Sequence, residues 1–98
     1  MYFIVSWDIS AVEPRWSQIN EQMQNCFKTY PQIRPVNTFY MVKVTSGDQY
    51  NAIHDCLLNI AQNTKETIHF IMSPLLTVKG WKGYLPKDRW PKISELTS

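Results

Sequence analysis

Residues 2–9 alternate as a strand does, with Phe3, Val5, Trp7 and Ile9 on one face and Tyr2, Ile4, Ser6 and Asp8 on the other. The first face is apolar throughout and reads as core. The second begins apolar and ends polar, an unusual pattern for a sheet face left in water. Segment 13–31 then places Trp16, Ile19, Met23, Cys26, Phe27 and Tyr30 at three- and four-residue steps, the stripe of an amphipathic helix. Pro14 suits its first position and Pro31 ends it.

Segment 33–45, "IRPVNTFYMVKVT", is β-branched and aromatic, hence strand. It forms either one bent strand or a tight hairpin around Asn37-Thr38. Segment 46–64 is a second helix, capped by Ser46 or Asp48, with Tyr50, Ile53, Leu57, Ile60 and Ala61 as its stripe. Segment 66–75 returns as a strand, Ile68, Phe70 and Met72 alternating with Thr67, His69 and Ile71. The remainder holds a short strand, a Gly-bracketed turn and one helical turn opened by Pro86.

This order predicts an α+β fold: a ferredoxin-like β-α-β-β-α-β sandwich, with two helices on one face of an antiparallel sheet and a short C-terminal extension. Residues 1–78 would be the domain. Residues 79–98 would be a basic, aromatic extension packing on it or on a dimer partner. Tyr2 and Ile4, with Ser6 small enough for close approach, would face outward from the uncovered side of the sheet. A second copy stacked on that face is the simplest cover, so the pattern predicts a homodimer with Tyr2, Ile4 and Ser6 at its interface.

Ninety-eight residues make one domain, since half of them would not bury an adequate core. Four Trp, five Tyr and four Phe supply many rings for so short a chain and favour a packed core or an interface over disorder. No apolar run reaches the roughly 18 residues of a membrane span, and no signal segment precedes the first strand. Cys26 and Cys56, both on helical segments, have no metal-ligand spacing and read as small buried residues. A cytoplasmic setting with reduced thiols is the simplest expectation.

Net charge is +2, but it is unevenly placed. Residues 1–78 carry five Lys/Arg against six Asp/Glu, whereas residues 79–98 carry five against two. In that tail Lys79, Lys82, Lys87, Arg89 and Lys92 interleave with Trp81, Tyr84 and Trp90. Cations neutralise phosphates and rings stack on unpaired bases, so these five are candidate nucleic-acid contacts. Alternatively, the Trp residues pin the tail to the sheet while the lysines stay in water.

The opening "MYFIVSWDIS" resembles the start of the small CRISPR-associated nuclease-like proteins that partner the spacer-acquisition integrase. The tail "GWKGYLPKDRWPKI" resembles a SinR-like branch of the same superfamily, whose wider group includes virulence-associated protein D, a toxin ribonuclease. The resemblance covers both ends; the middle matches only in pattern. It implies a ferredoxin-like homodimer in which first-strand aspartates face each other and hold a divalent metal, Mg²⁺ or Mn²⁺. Asp8 carries over as the metal ligand and catalytic residue of an endonuclease or endoribonuclease. Trp7 replaces the family's Tyr, removing a hydroxyl, and "PVNTFYMV" replaces its usual polar strand.

One Asp per chain is thin equipment for phosphodiester hydrolysis, but symmetry would double it. Two carboxylates about 5 Å apart repel by roughly 3 kcal/mol at an effective dielectric of about 20, and a cation between them removes that. Otherwise Asp8 simply caps the loop at 10–13. His69 and His54 are weaker candidates for acid–base work, and Asn37 and Thr38 read first as turn residues. The alternative to a nuclease is a non-catalytic interaction protein of a defence, counter-defence (anti-CRISPR-like) or toxin–antitoxin system.

Overall fold

The computed structural model describes all 98 residues as a small α+β domain, a four-stranded antiparallel sheet with three helices. Strands β1 (Tyr2–Ser10), β2 (Gln32–Val36), β3 (Phe39–Lys43) and β4 (Thr67–Met72) lie in the order β2-β3-β1-β4. Helices α1 (Arg15–Asn25) and α2 (Gly47–Asn63) join them, and α3 (Arg89–Thr97) closes the chain.

The alternation in β1 sorts the molecule into layers. Phe3 and Val5 are fully buried against Ile19, Met23 and Phe27 of the α1 region and Ile53 and Leu57 of α2, forming the main core. Ser46 caps α2, accepting from Gln49 N–H at 3.2 Å, while Gln49 Oε1 accepts from Thr45 N–H at 2.8 Å. The two bonds satisfy donors that a helix start leaves open. Segment 33–45 is the hairpin of the two alternatives, turning at Asn37-Thr38. Pro35 is tolerated because β2 is an edge strand, and the β2–β3 register shifts between Ile33 and Val36.

Four expectations change. The first helix ends at Asn25, before Pro31; Phe27 is still fully buried, but from a turn. The last helix is a full element of nine residues starting at Arg89, three residues beyond Pro86. It tolerates Pro91 because its first-turn N–H groups have no partner within the helix. The expected tail strand reduces to one bridge, Tyr2 with Leu76. Most consequentially, the outer face of the sheet is covered by the chain itself. Tyr2, Met41, Ile93 and Leu96 form a second buried cluster, with Ile4, Ile33, Trp81 and Trp90 packed around it. Tyr2 is fully buried, and its hydroxyl donates to Val78 O at 2.8 Å and accepts from Trp81 Nε1 at 2.6 Å. The apolar residues expected to need a second copy are thus satisfied by α3 and the segment before it.

The cysteines also differ from expectation: they are paired. A Cys26–Cys56 disulfide joins the end of α1 to the middle of α2 across a separation of 30 residues, replacing the two reduced thiols. Ion pairing adds a link at the other end of α1. Arg15 Nε donates to Glu66 Oε2 at 3.1 Å, and this bond holds the Glu66 carboxyl below the usual range.

Closing a loop of that length removes denatured-state entropy equivalent to about 3.6 kcal/mol. Reduction, or Cys26→Ser with Cys56→Ser, is therefore expected to lower unfolding free energy by about that amount in urea titrations. A loss below about 0.5 kcal/mol would mean that α1 and α2 are held without the bridge.

Candidate functional site

The site arises from a mismatch in strand length. β1 pairs with β4 over Val5–Ser10, but with β3 only over Tyr2–Val5. Beyond Ser6, whose Oγ donates to Thr38 O at 2.5 Å, the β3 side of β1 has no strand neighbour. A notch of about 220 Å³ opens there. Asp8 lies exposed on one wall, with Trp16 and Asn20 of α1 on another and Arg34, Asn37 and Thr38 of the hairpin on the third.

A stack of rings forms the floor. Trp7 lies on Tyr40, centroids 5.2 Å apart at 17°. Arg34 also lies over the Tyr40 ring, its Cζ 5.2 Å from the ring centre, an arrangement in which the ring quadrupole attracts the cation. Trp7 Nε1 donates to Asn20 Oδ1 at 2.9 Å, tying β1 to α1, and Gln24 Nε2 donates to the Tyr40 hydroxyl. Trp7 therefore has a role of its own where the resembled family carries Tyr: it packs, and it orients Asn20 at the notch.

Asp8 makes no ion pair. His69 lies directly opposite it on β4. Both are exposed, on the half of the outer face that α3 leaves open. No three His, Cys, Asp or Glu side chains converge anywhere in the chain, so Asp8 is the one carboxylate available to a cation at this notch. Mg²⁺ commonly takes one or two carboxylates and completes its shell with water and phosphate, and one exposed carboxylate is all that this notch offers such an ion.

The remaining predicted residues separate. Tyr2 and Ile4 lie beneath the C-terminal segment and so do not offer the interface expected of them, whereas Ser6, bonded to the hairpin turn, stands at the margin of the open half of the face. Arg89 and Lys92 meet Arg34 at the edge of β2, whereas Lys79 lies by the end of α3, Lys82 borders an apolar groove with Tyr84, and Lys87 lines none of these hollows. His54 instead contacts Asp55 at 3.1 Å on the surface of α2. Arg34, Asn20 and Trp16 are site residues that sequence reasoning missed. The signal for Arg34 was that it is the one charged residue of β2. Trp16 sat on the helix stripe and read as core, yet it is 36% exposed.

No protein-family model matches the chain, and no curated protein matches it.

The two tryptophans of the notch differ in role. Trp7→Ala is expected to lower stability by about 3 kcal/mol, as for a packed aromatic, and Trp16→Ala by about 1 kcal/mol. Urea unfolding of both variants distinguishes them; equal destabilisation would make Trp16 a core wall rather than an available stacking surface.

Proposed function

We propose that this protein binds nucleic acid at the β1 notch, as a member of the CRISPR-associated nuclease-like superfamily that its two ends resemble. The observation that carries the reading is the grouping of Asp8, an exposed Trp16 and an unneutralised Arg34 around one opening. Rings offer stacking to an unpaired base, and a guanidinium offers paired N–H donors to a phosphate. A strand order of β2-β3-β1-β4 with α1 and α2 packed on one face supports a ferredoxin-like sheet, the scaffold of that superfamily.

In this reading Asp8 holds Mg²⁺ or Mn²⁺ together with a substrate phosphate. Such a cation, when bound, supplies an activated water and neutralises charge on the phosphoryl oxygens. Trp16 stacks the neighbouring base, and Asn20, held by Trp7, offers its amide to the base edge. The strand is thereby fixed with its phosphate at Asp8, which is the positioning that hydrolysis requires. Pairing Asp8 with its mate would need a second copy on the open half of the face, where Ser6, Asp8, His69 and Ile71 lie.

A second reading, a non-catalytic interaction protein of a defence, counter-defence or toxin–antitoxin system, draws support from the lone carboxylate and from the covering of the expected dimer face.

Labelled RNA and DNA, single-stranded and duplex, distinguish the two with Mg²⁺, Mn²⁺ or a chelator. Metal-dependent cleavage is expected from the wild type, with Asp8→Ala reducing the rate at least about 100-fold, the scale of removing one group that stabilises transition-state charge, while binding persists. Equal cleavage by both proteins would remove Asp8 from the mechanism. Binding without cleavage by the wild type would select the second reading.

A further inference from the structure

Arg34 borders two hollows at once. One is the notch, and the other is a shallow cavity of about 500 Å³ along the edge of β2, where Arg89 and Lys92 from the start of α3 join it. Asp88 is the one acidic side chain lining this second cavity, so three cations face one anion. Neither arginine has a carboxylate partner. Each is instead held by a main-chain carbonyl: Arg34 Nη2 donates to Asn37 O at 2.6 Å, and Arg89 Nη1 donates to Pro35 O at 2.6 Å. A carbonyl fixes a guanidinium without neutralising it and leaves its other N–H groups free for an anion. The acceptors sit at Pro35 and Asn37, in and just beyond β2, so one short stretch of backbone aligns both groups.

The geometry points to a phosphate seat: Arg34, Arg89 and Lys92 hold backbone phosphates of a single-stranded nucleic acid, one base of which enters the adjoining notch. This rests on the nucleic-acid reading above and adds the path of the strand, from α3 across the β2 edge to Asp8. Phosphates favour two fixed forks beside a lysine. The continuity of the seat with an aromatic-walled notch favours a nucleic acid over an acidic peptide. A single strand is specified because the bases of a duplex are stacked on one another and cannot present their faces to Trp16. The other tail lysines stay outside the path, Lys79 and Lys82 bordering different hollows.

Counterion release makes the seat measurable. Binding of a labelled single strand is followed by fluorescence anisotropy from roughly 50 to 200 mM salt. The log–log slope should flatten by about 0.7 for each cation withdrawn from a phosphate. The pair Arg89→Gln and Lys92→Gln should flatten it by about two such steps and weaken low-salt binding by roughly tenfold or more, and Arg34→Gln by about one step. Lys79→Gln with Lys82→Gln should leave the slope unchanged, and a thermal melt of each variant confirms that it is folded. Every arm is run with a chelator present, so the slope reports the seat and not a metal-dependent cleavage step. Equal flattening in both double variants, or in neither, would overturn the seat. So would duplex binding as tight as single-strand binding, or competition by polyglutamate at equal charge. Failure of the wild type to bind any strand would overturn the nucleic-acid reading and the seat together.

Discussion

The phenol of Tyr2 is where the two ends of the chain meet. Its ring fills the outer face of the first strand, its hydroxyl joins Val78 and Trp81, and Met41, Ile93 and Leu96 complete the cluster. A half-buried tyrosine at this position would leave an apolar sheet face in water, which a small domain tolerates poorly. Closing that face with α3 fixes where Arg89 and Lys92 lie, because both belong to the helix that does the closing. Polar and cationic groups are thereby carried to the β2 edge by an interaction that is itself almost entirely apolar.

The covering is only partial, and the functional surface is what it leaves. Toward its end, β1 outruns β3 on one side and α3 above, so Asp8 stands with Ser6 and His69 on an open patch next to the notch. The same rings that build the floor also belong to the core: Trp7, Tyr40 and Phe27 pack on one another, and Arg34 rests on the Tyr40 ring. Rigidity at this site therefore comes from the hydrophobic layer below it rather than from charge pairing. The disulfide between α1 and α2 holds the helix that supplies Trp16 and Asn20.

Much of this was legible from periodicity. The alternation of β1 and the stripes of both long helices follow from local patterning, which reports which face is buried; the Asn37-Thr38 turn was one of two alternatives until the structure chose it. What buries a face is a long-range matter. Tyr2 and Ile4 announced a cover, but period alone does not distinguish a second copy from residues far along the same chain. The tail obscured the answer because Gly80, Gly83, Pro86 and Pro91 interrupt its pattern, so the helix from Arg89 read as a single turn. Cys26 and Cys56 were equally silent, since thiol pairing depends on how two helices pack. Asp8 was visible from its place at the end of the strand, whereas Arg34 became visible only once the hairpin set it against Tyr40.

Sedimentation velocity on the intact chain and on a chain ending at Val78 tests most directly whether the C-terminal segment closes its own sheet. The account predicts an 11.5 kDa monomer for the intact chain across the micromolar range, and self-association once removal of α3 uncovers Met41 and Tyr2. An intact chain that sediments as a stable dimer, and a shortened one that becomes monomeric, would show that the segment covers a partner instead and would contradict the account.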